Sequence, residues 1–466
     1  MSTTDVGSIL AQAGQSIISG ATNSTLDVNS LVTALVQAKT AGQTQTLTNK
    51  QTADNTELSA VGKLKSALSA LQTALAGLAN GTTLSGLAAT ASGNGITASV
   101  KSGGGAVAGA YSVNVTQLAT ANKLSSAGIT SSDTISAGSL SITLGSNTPF
   151  NVNVSAGASL SDIANSINSA SGNPGVTASV ITGSDGQHLV IQSNSTGAAN
   201  TVSVSGTGVN SKLTSGYTTV TAAADAQLTI DGTPVTSASN SVSGALTGVT
   251  LNLTPAALNT TQTVTLSPDT TATTAAINAF VNAYNSYVTT AQSLSSYDPN
   301  TSTAGPLLGD SMLNTISNGL ATALSGGVKT GSTTYSLSAI GINLQADGTL
   351  QVDATALNTA LTSNSPAVAG LFNTTNGVGQ TLNKLINGYT QTNGLIDQRT
   401  TALNADLKNL SDQATQLKNY SDQLTAQYNA QFTALNNLMA TMANNTKYLT
   451  QLFGGSNSAG TLATNK

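Results

Sequence analysis

Between Ile396 and Leu449 apolar residues recur at alternating steps of four and three, and no other feature of the chain limits the fold as much. The stripe runs through Leu403, Leu407, Leu410, Ala414, Leu417, Leu424, Tyr428, Leu435, Leu438, Met442 and Leu449. In a helix that spacing draws one apolar seam, and the seam needs a second helix to cover it. A straight helix over this stretch would extend roughly 80 Å, far beyond an ordinary globular helix. Ser421 and Gln431 fall on seam positions, where polar side chains weaken packing and mark places at which the helix can be interrupted. Each buried leucine contributes about 1.5–3 kcal/mol. The stretch from Leu403 to Leu417 is therefore expected to pack firmly, and the stretch beyond Ser421 to order only in an assembly.

A second seam near the other end, Val61, Leu64, Leu68, Leu71, Leu75 and Leu78, is the expected partner for the inner part of the first. It stops at Asn80-Gly81, a helix C-terminal signal. Upstream, Asp27 or Asn29 can cap a helix carrying Leu31, Val32, Leu35 and Val36 on a narrow apolar face. A polar stretch separates the two, so the region reads as two helices or as one long interrupted helix.

From about Thr82 to Pro268 the periodicity changes to two, as in Tyr111-Ser-Val-Asn-Val115, Leu140-Ser-Ile-Thr-Leu144 and Leu228-Thr-Ile230. Asp185-Gly186 and Asp231-Gly232 are hairpin-turn dipeptides, which points to antiparallel sheets. One helix interrupts them: Ser159-Leu160-Ser161-Asp162 is a cap, followed by Ile163, Ala164 and Ile167 at helical spacing. Helical spacing returns at Ile277, Phe280, Val281, Tyr284 and Val288. Further helices are expected after Asp310, from Ser365-Pro366, and over Val378 to Tyr389, with a hairpin at Ile340 to Val352 turning on Asp347-Gly348. The fold class is α+β multidomain: N- and C-terminal helices forming coiled-coil or bundle legs, with antiparallel β domains inserted in the middle. The expected divisions are 1–45, 46–123, 124–268, 269–409 and 410–466. They correspond to an N-terminal leg, a seam with core strands, a β-rich head of two subdomains, a helical core and a C-terminal leg.

Composition narrows function. Charged residues are 7% and aromatics 3%, the net charge is −4, and mean hydropathy is +0.07. With 14 Lys+Arg and no basic cluster the chain has little with which to follow a phosphate backbone, so nucleic acid is not an expected partner. The absence of cysteine removes disulfides, thiol nucleophiles and thiolate metal sites. No window is long and apolar enough to span a bilayer, and residues 1–25 hold no Lys or Arg to open a cleaved signal. The chain is then expected to be either cytoplasmic or exported without a cleaved signal, and a disulfide-free, Ser/Thr-rich composition suits the second. Catalysis lacks material, since His188, Glu57 and Arg399 are each the only residue of their type. His188, after Asp185-Gly186 and before an apolar strand, reads as a turn or strand-end residue rather than a one-histidine site. Asp231-Gly232 and Asp347-Gly348 read as turns, not calcium loops. No enzyme activity and no cofactor or metal are expected.

Several motifs together resemble the flagellar hook-associated protein 2, or filament cap, family across nearly the whole chain. Leu26-Asp-Val-Asn-Ser-Leu-Val-Thr-Ala-Leu-Val36 looks like its opening helix, and Tyr111 to Ala119 like the strand and turn that follow. Leu160 to Asn168 with Val176 to Val180 is similar to the flagellin-type hook motif, centred on Ile167-Asn168. Leu228 to Val235 with Gly248 to Leu253, Gly305-Pro-Leu-Leu-Gly-Asp310, Asp347-Gly-Thr-Leu350, Val368 to Phe372, Gly394-Leu-Ile396 and Gln431-Phe-Thr-Ala-Leu435 carry the rest. Lys39 departs from the family, standing where an acidic residue is common. The resemblance implies a homo-oligomeric ring at the distal filament tip, legs reaching into the filament, and secretion by flagellar export. The implied partners are flagellin, hook-filament junction proteins and an export chaperone. The alternative is a surface adhesin holding host mucin or glycan through residues 82–268.

Overall fold

The computed structural model describes residues 28–330, 333–373 and 376–453, so Asp27 as a cap and residues 454–466 of the expected leg lie outside it. The first helix, α1 (Val28–Ala79), is a single element of 52 residues, with no interruption at the polar stretch. The reason is local. Hydroxyls along it bond back to the carbonyl four residues earlier, as Thr40 does to Val36, Thr44 to Thr40, Thr52 to Thr48 and Thr56 to Thr52. Side chains that would otherwise compete for backbone groups are thus satisfied inside the helix. The helix closes where Gly81 takes a left-handed φ of 77°.

The middle is built from β1 (Leu87–Ala91), β2 (Ile96–Val100), β3 (Gly109–Gln117), β4 (Ala121–Ser125), β5 (Gly138–Leu144), β6 (Phe150–Val154) and the helix α2 (Leu160–Ser169). It continues through β7 (Val176–Gly183), β8 (Gly186–Thr196), β9 (Val202–Thr207), β10 (Thr218–Thr221), β11 (Ala226–Ile230), β12 (Thr233–Ser237), β13 (Ser241–Leu246), β14 (Val249–Leu253) and β15 (Thr261–Pro268). Every strand ladder among the described residues is antiparallel. Both expected hairpin turns form. Gly183 pairs Gly186 across a two-residue loop, and Ile230 pairs Thr233 across Asp231 and Gly232 at φ 47° and 78°, the twist-matched geometry for a tight hairpin. Ser159 and Asp162 make a reciprocal capping box on α2.

The strands make two nested units. A five-stranded sheet in the order β1-β15-β3-β11-β12 and a three-stranded sheet β13-β14-β2 share one core around Val113, Val115, Leu228, Leu251 and Val264. Inserted between β3 and β11 is a second unit. Its sheets, β10-β4-β8-β7 and β6-β5-β9, pack with α2 around Leu140, Ile142, Ile167, Leu189 and Ile191. The expected division 46–123 puts the helical seam together with the strands that follow it. In the structure β1, β2 and β3 instead find their pairing partners beyond residue 225. Alternation reveals a strand but not which distant strand it pairs with.

After the strands come α3 (Thr270–Ser295), α4 (Ser311–Ser325), α5 (Ala354–Ser363), α6 (Ser365–Asn373), α7 (Val378–Thr390) and α8 (Leu395–Phe453). Asp269, Asp310 and Asp353 cap α3, α4 and α5 by accepting from backbone N–H groups. The third core buries Val61, Leu64, Leu68, Leu71, Leu75 and Leu78 of α1 against residues of α3, α4, α6 and α7, with Phe280 and Phe372 edge to face at 6.0 Å. From α8 only Ile396 and Leu403 enter it. The expected pairing of this α1 seam with Leu403 to Leu417 is corrected: its partners are mainly α3 and α7.

Candidate functional site: the paired terminal helices

The helix pair is set at its inner end by charge. Arg399, the only arginine, donates from Nε to Glu57 Oε1, the only glutamate, at 2.6 Å, and its Nη2 also contacts that oxygen. Asp310 Oδ2, on the cap of α4, lies 3.8 Å from the same guanidinium. Two helices and the start of a third therefore meet at one cation. From the sequence, Arg399 and Glu57 count only as scarce catalytic material, and their 342-residue separation hides the pairing.

From Arg399 to Leu424 is 25 residues forward along α8, and from Glu57 to Val32 is 25 back along α1. Leu424 packs with Val32 and Val36. The antiparallel register is thus held without slip between the two points. It places Leu407, Leu410 and Leu417 opposite the polar stretch of α1, and Leu407 and Leu417 are only half-buried while Leu410 is buried. The expectation of firm packing up to Leu417 is corrected on this ground. Around Leu417 the helices flank a groove of about 970 Å³ lined by Ala38, Gly42, Thr46, Gln413, Gln416 and Tyr420.

Beyond Ser421 the picture divides. Leu424 is buried, and Tyr428 and Phe432 pack with it against Val28, Val32 and Val36. Leu31 is buried and Leu35 half-buried. Phe432 was not among the expected seam residues. Leu424, Tyr428 and Phe432 recur at steps of four, so the buried stripe drifts off the heptad as an untwisted helix must. Further on, Leu435, Leu438, Met442 and Leu449 stand 43%, 57%, 60% and 54% exposed, with Tyr448 and Leu452 beside them. A contiguous apolar stripe left in solvent marks an interaction surface.

His188 sits in the second β unit, away from the helix pair. Its Nδ1 faces Ser126 O at 2.8 Å and its Nε2 faces Asp185 Oδ1 at 2.9 Å. Two acceptors favour the doubly protonated ring, so the Ser126 carbonyl first and Asp185 second raise its pKa, and His188 lowers that of Asp185. A raised histidine pKa contributes stability that is full below the unfolded value and lost as pH rises through the folded one. The melting temperature of this unit is expected to fall as pH rises above the ordinary histidine value of 6.5, and His188→Gln to flatten that slope. An equal slope in the variant would remove the role.

Among the described residues no group of three or more His, Cys, Asp or Glu is placed to hold a metal, and no helix is long and apolar enough to cross a membrane.

The Escherichia coli flagellar hook-associated protein 2 is 34% identical over 467 residues, spanning 94% of this chain and 98% of that protein. The chain belongs to that family. The B-type flagellar hook-associated protein 2 of Pseudomonas aeruginosa is 30% identical, over 94% of this chain and 97% of the relative. The family models for the flagellar hook-associated protein 2 N-terminus and C-terminus match residues 24–122 and 223–444, and the flagellin hook IN motif matches 139–195. The crystal structure of the D1-D2-D3 domains of the Escherichia coli flagellar cap protein FliD aligns with a TM-score of 0.58 at 34% identity, covering 74% of this chain and 99% of that one. For a hook-associated protein 2 the helical ends and antiparallel middle are thus the family's architecture.

Proposed function

We propose that the chain is a subunit of the cap at the distal end of the bacterial flagellar filament. It is exported with the flagellum, closes into a homo-oligomeric ring, guides flagellin into place and keeps unpolymerised flagellin from escaping. Its relatives are named for the flagellum, and its structural relative as the flagellar cap protein. The observation that carries the reading is the exposed stripe from Leu435 to Leu449 on a helix held rigidly at its other end by Arg399 and Leu403. In this reading the terminal helices are legs that contact flagellin, and the two β units form the plate. Hook-filament junction proteins and an export chaperone complete the partners, the chaperone covering the stripe before assembly. No relative reported above is named for adhesion, so the adhesin alternative gains no support.

In cells lacking their own cap protein, the full chain is expected to restore filaments. A chain ending at Asn429 is expected to be exported yet leave flagellin in the medium, and Leu438→Ser with Met442→Ser, on a stripe that no described residue covers, to do the same while folding normally. Filaments of ordinary length with either variant would overturn the assignment.

A further inference from the structure

The hook IN motif is a sequence label, and the structure gives its asparagine a physical task. The two-residue turn at Ser184-Asp185 makes Gly183 and Gly186 a bonded pair, so Thr177, Ser179 and Ile181 bond across to β8. The backbone groups of Val176, Ala178, Val180 and Thr182 then point outward, because β7 is the last strand of its sheet. At Ala178 both outward groups are taken by one side chain: Asn168 Nδ2 donates to Ala178 O at 2.8 Å, and Ala178 N–H donates to Asn168 Oδ1 at 2.7 Å. One pair of residues back, Asn173 does the same to Val176, donating to its O and accepting from its N–H, both at 2.8 Å. Two primary amides thus present to β7 the donor and acceptor that a neighbouring strand would present. Asparagine suits this because a carboxamide carries one acceptor and one donor group in a plane, which aspartate and serine do not.

Ile167, the other motif residue, is fully buried and anchors α2 in the core, whereas Asn168 lies on the exposed side. The opposite edge of the same sheet is β10, four residues long with a register break between Thr219 and Thr221. Short, bulged edges resist pairing on their own, whereas β7 is long and regular and needs another device. The geometry points to Asn168 and Asn173 as edge stoppers that keep β7 from accepting a strand of a second copy of this chain. In a ring, copies stand side by side at high local concentration, and an open edge would compete with the proper contact.

The test uses the full-length protein with two substitutions. In Asn168→Ala, at a dilution where it sediments as the wild type does, the Ala178 amide is expected to lose its hydrogen-exchange protection while Thr177 and Ser179 keep theirs. Sedimentation is expected to show concentration-dependent species absent from the wild type. Asn168→Asp loses the donor to Ala178 O but adds a charge to the edge, which resists strand pairing by itself, so sedimentation should match the wild type. If Asn168→Ala sediments as the wild type does at every concentration, if its Ala178 amide stays protected in the dilute sample, or if the two variants associate alike, the assignment is wrong. Should Asn168→Ala fail to fold, Asn168→Ser, too short to hold both Ala178 groups, decides: concentration-dependent association supports the role and wild-type sedimentation overturns it.

Discussion

Phe372→Ala is expected to lower the stability of the helical core by about 3–5 kcal/mol, the usual range for truncating a fully enclosed aromatic ring. Phe372 has no exposed surface and meets Phe280, itself fully buried, edge to face. It is carried on α6, a helix of nine residues. So short a helix has little stability of its own and depends on what its apolar face buries. Relaxation cannot readily fill the gap, because Leu68, Leu71 and Leu371 around this core are fully buried as well. Denaturant unfolding followed by the helical circular dichroism signal measures the effect. The transition of the β units, whose cores are separate, should hold its midpoint. A loss below about 1 kcal/mol would mean that the ring is not packed as described.

Arg399→Ala and Glu57→Ala are each expected to cost about 1–2 kcal/mol, more than a surface ion pair, because the hydrogen bond is charge-assisted and Glu57 is 20% exposed. The two losses should not add. The double variant is expected to fall short of their sum by about 1 kcal/mol, which a double-mutant cycle measures. Arg399→Lys should recover only part, since an ammonium cannot place two donors on one carboxylate oxygen and still face Asp310. If the single losses simply sum, the pair contributes nothing and the register is kept by Leu403 and Leu424 alone.

Much of this architecture was legible in the residues. The capping box at Ser159, the Asp231-Gly232 and Asp185-Gly186 turns, and the C-terminal stop at Asn80-Gly81 are local chemistry, and local chemistry is written in adjacent positions. What could not be read was distance. The α1 seam announces that it needs a partner but not that α3 and α7 supply it. The heptad at Leu407 to Leu417 looked as good as any other leucine run, until the register showed that the facing residues of α1 are mostly small or polar, Ala38, Lys39, Gly42, Gln43 and Thr46, with Leu47 the one leucine among them. Phe432 was hidden for a related reason, since the drift of the stripe depends on how strongly the pair supercoils. Helix α5 went unnoticed because only Leu357 and Leu361 are buried along its ten residues.

Arg399 and Glu57 are 342 residues apart in the chain. Closing a loop of that length costs about 5 kcal/mol of chain entropy beyond the constant term, and the outer half of α1, from Val32 to Glu57, has no partner until α8 has been made. The β units lie entirely within that loop and have cores of their own. Once folded, they replace nearly two hundred loose residues with a compact spacer whose entry and exit, β1 and β15, are neighbouring strands. The order of folding is thereby implied by the threading: the middle comes first, and the two ends of the chain find each other last.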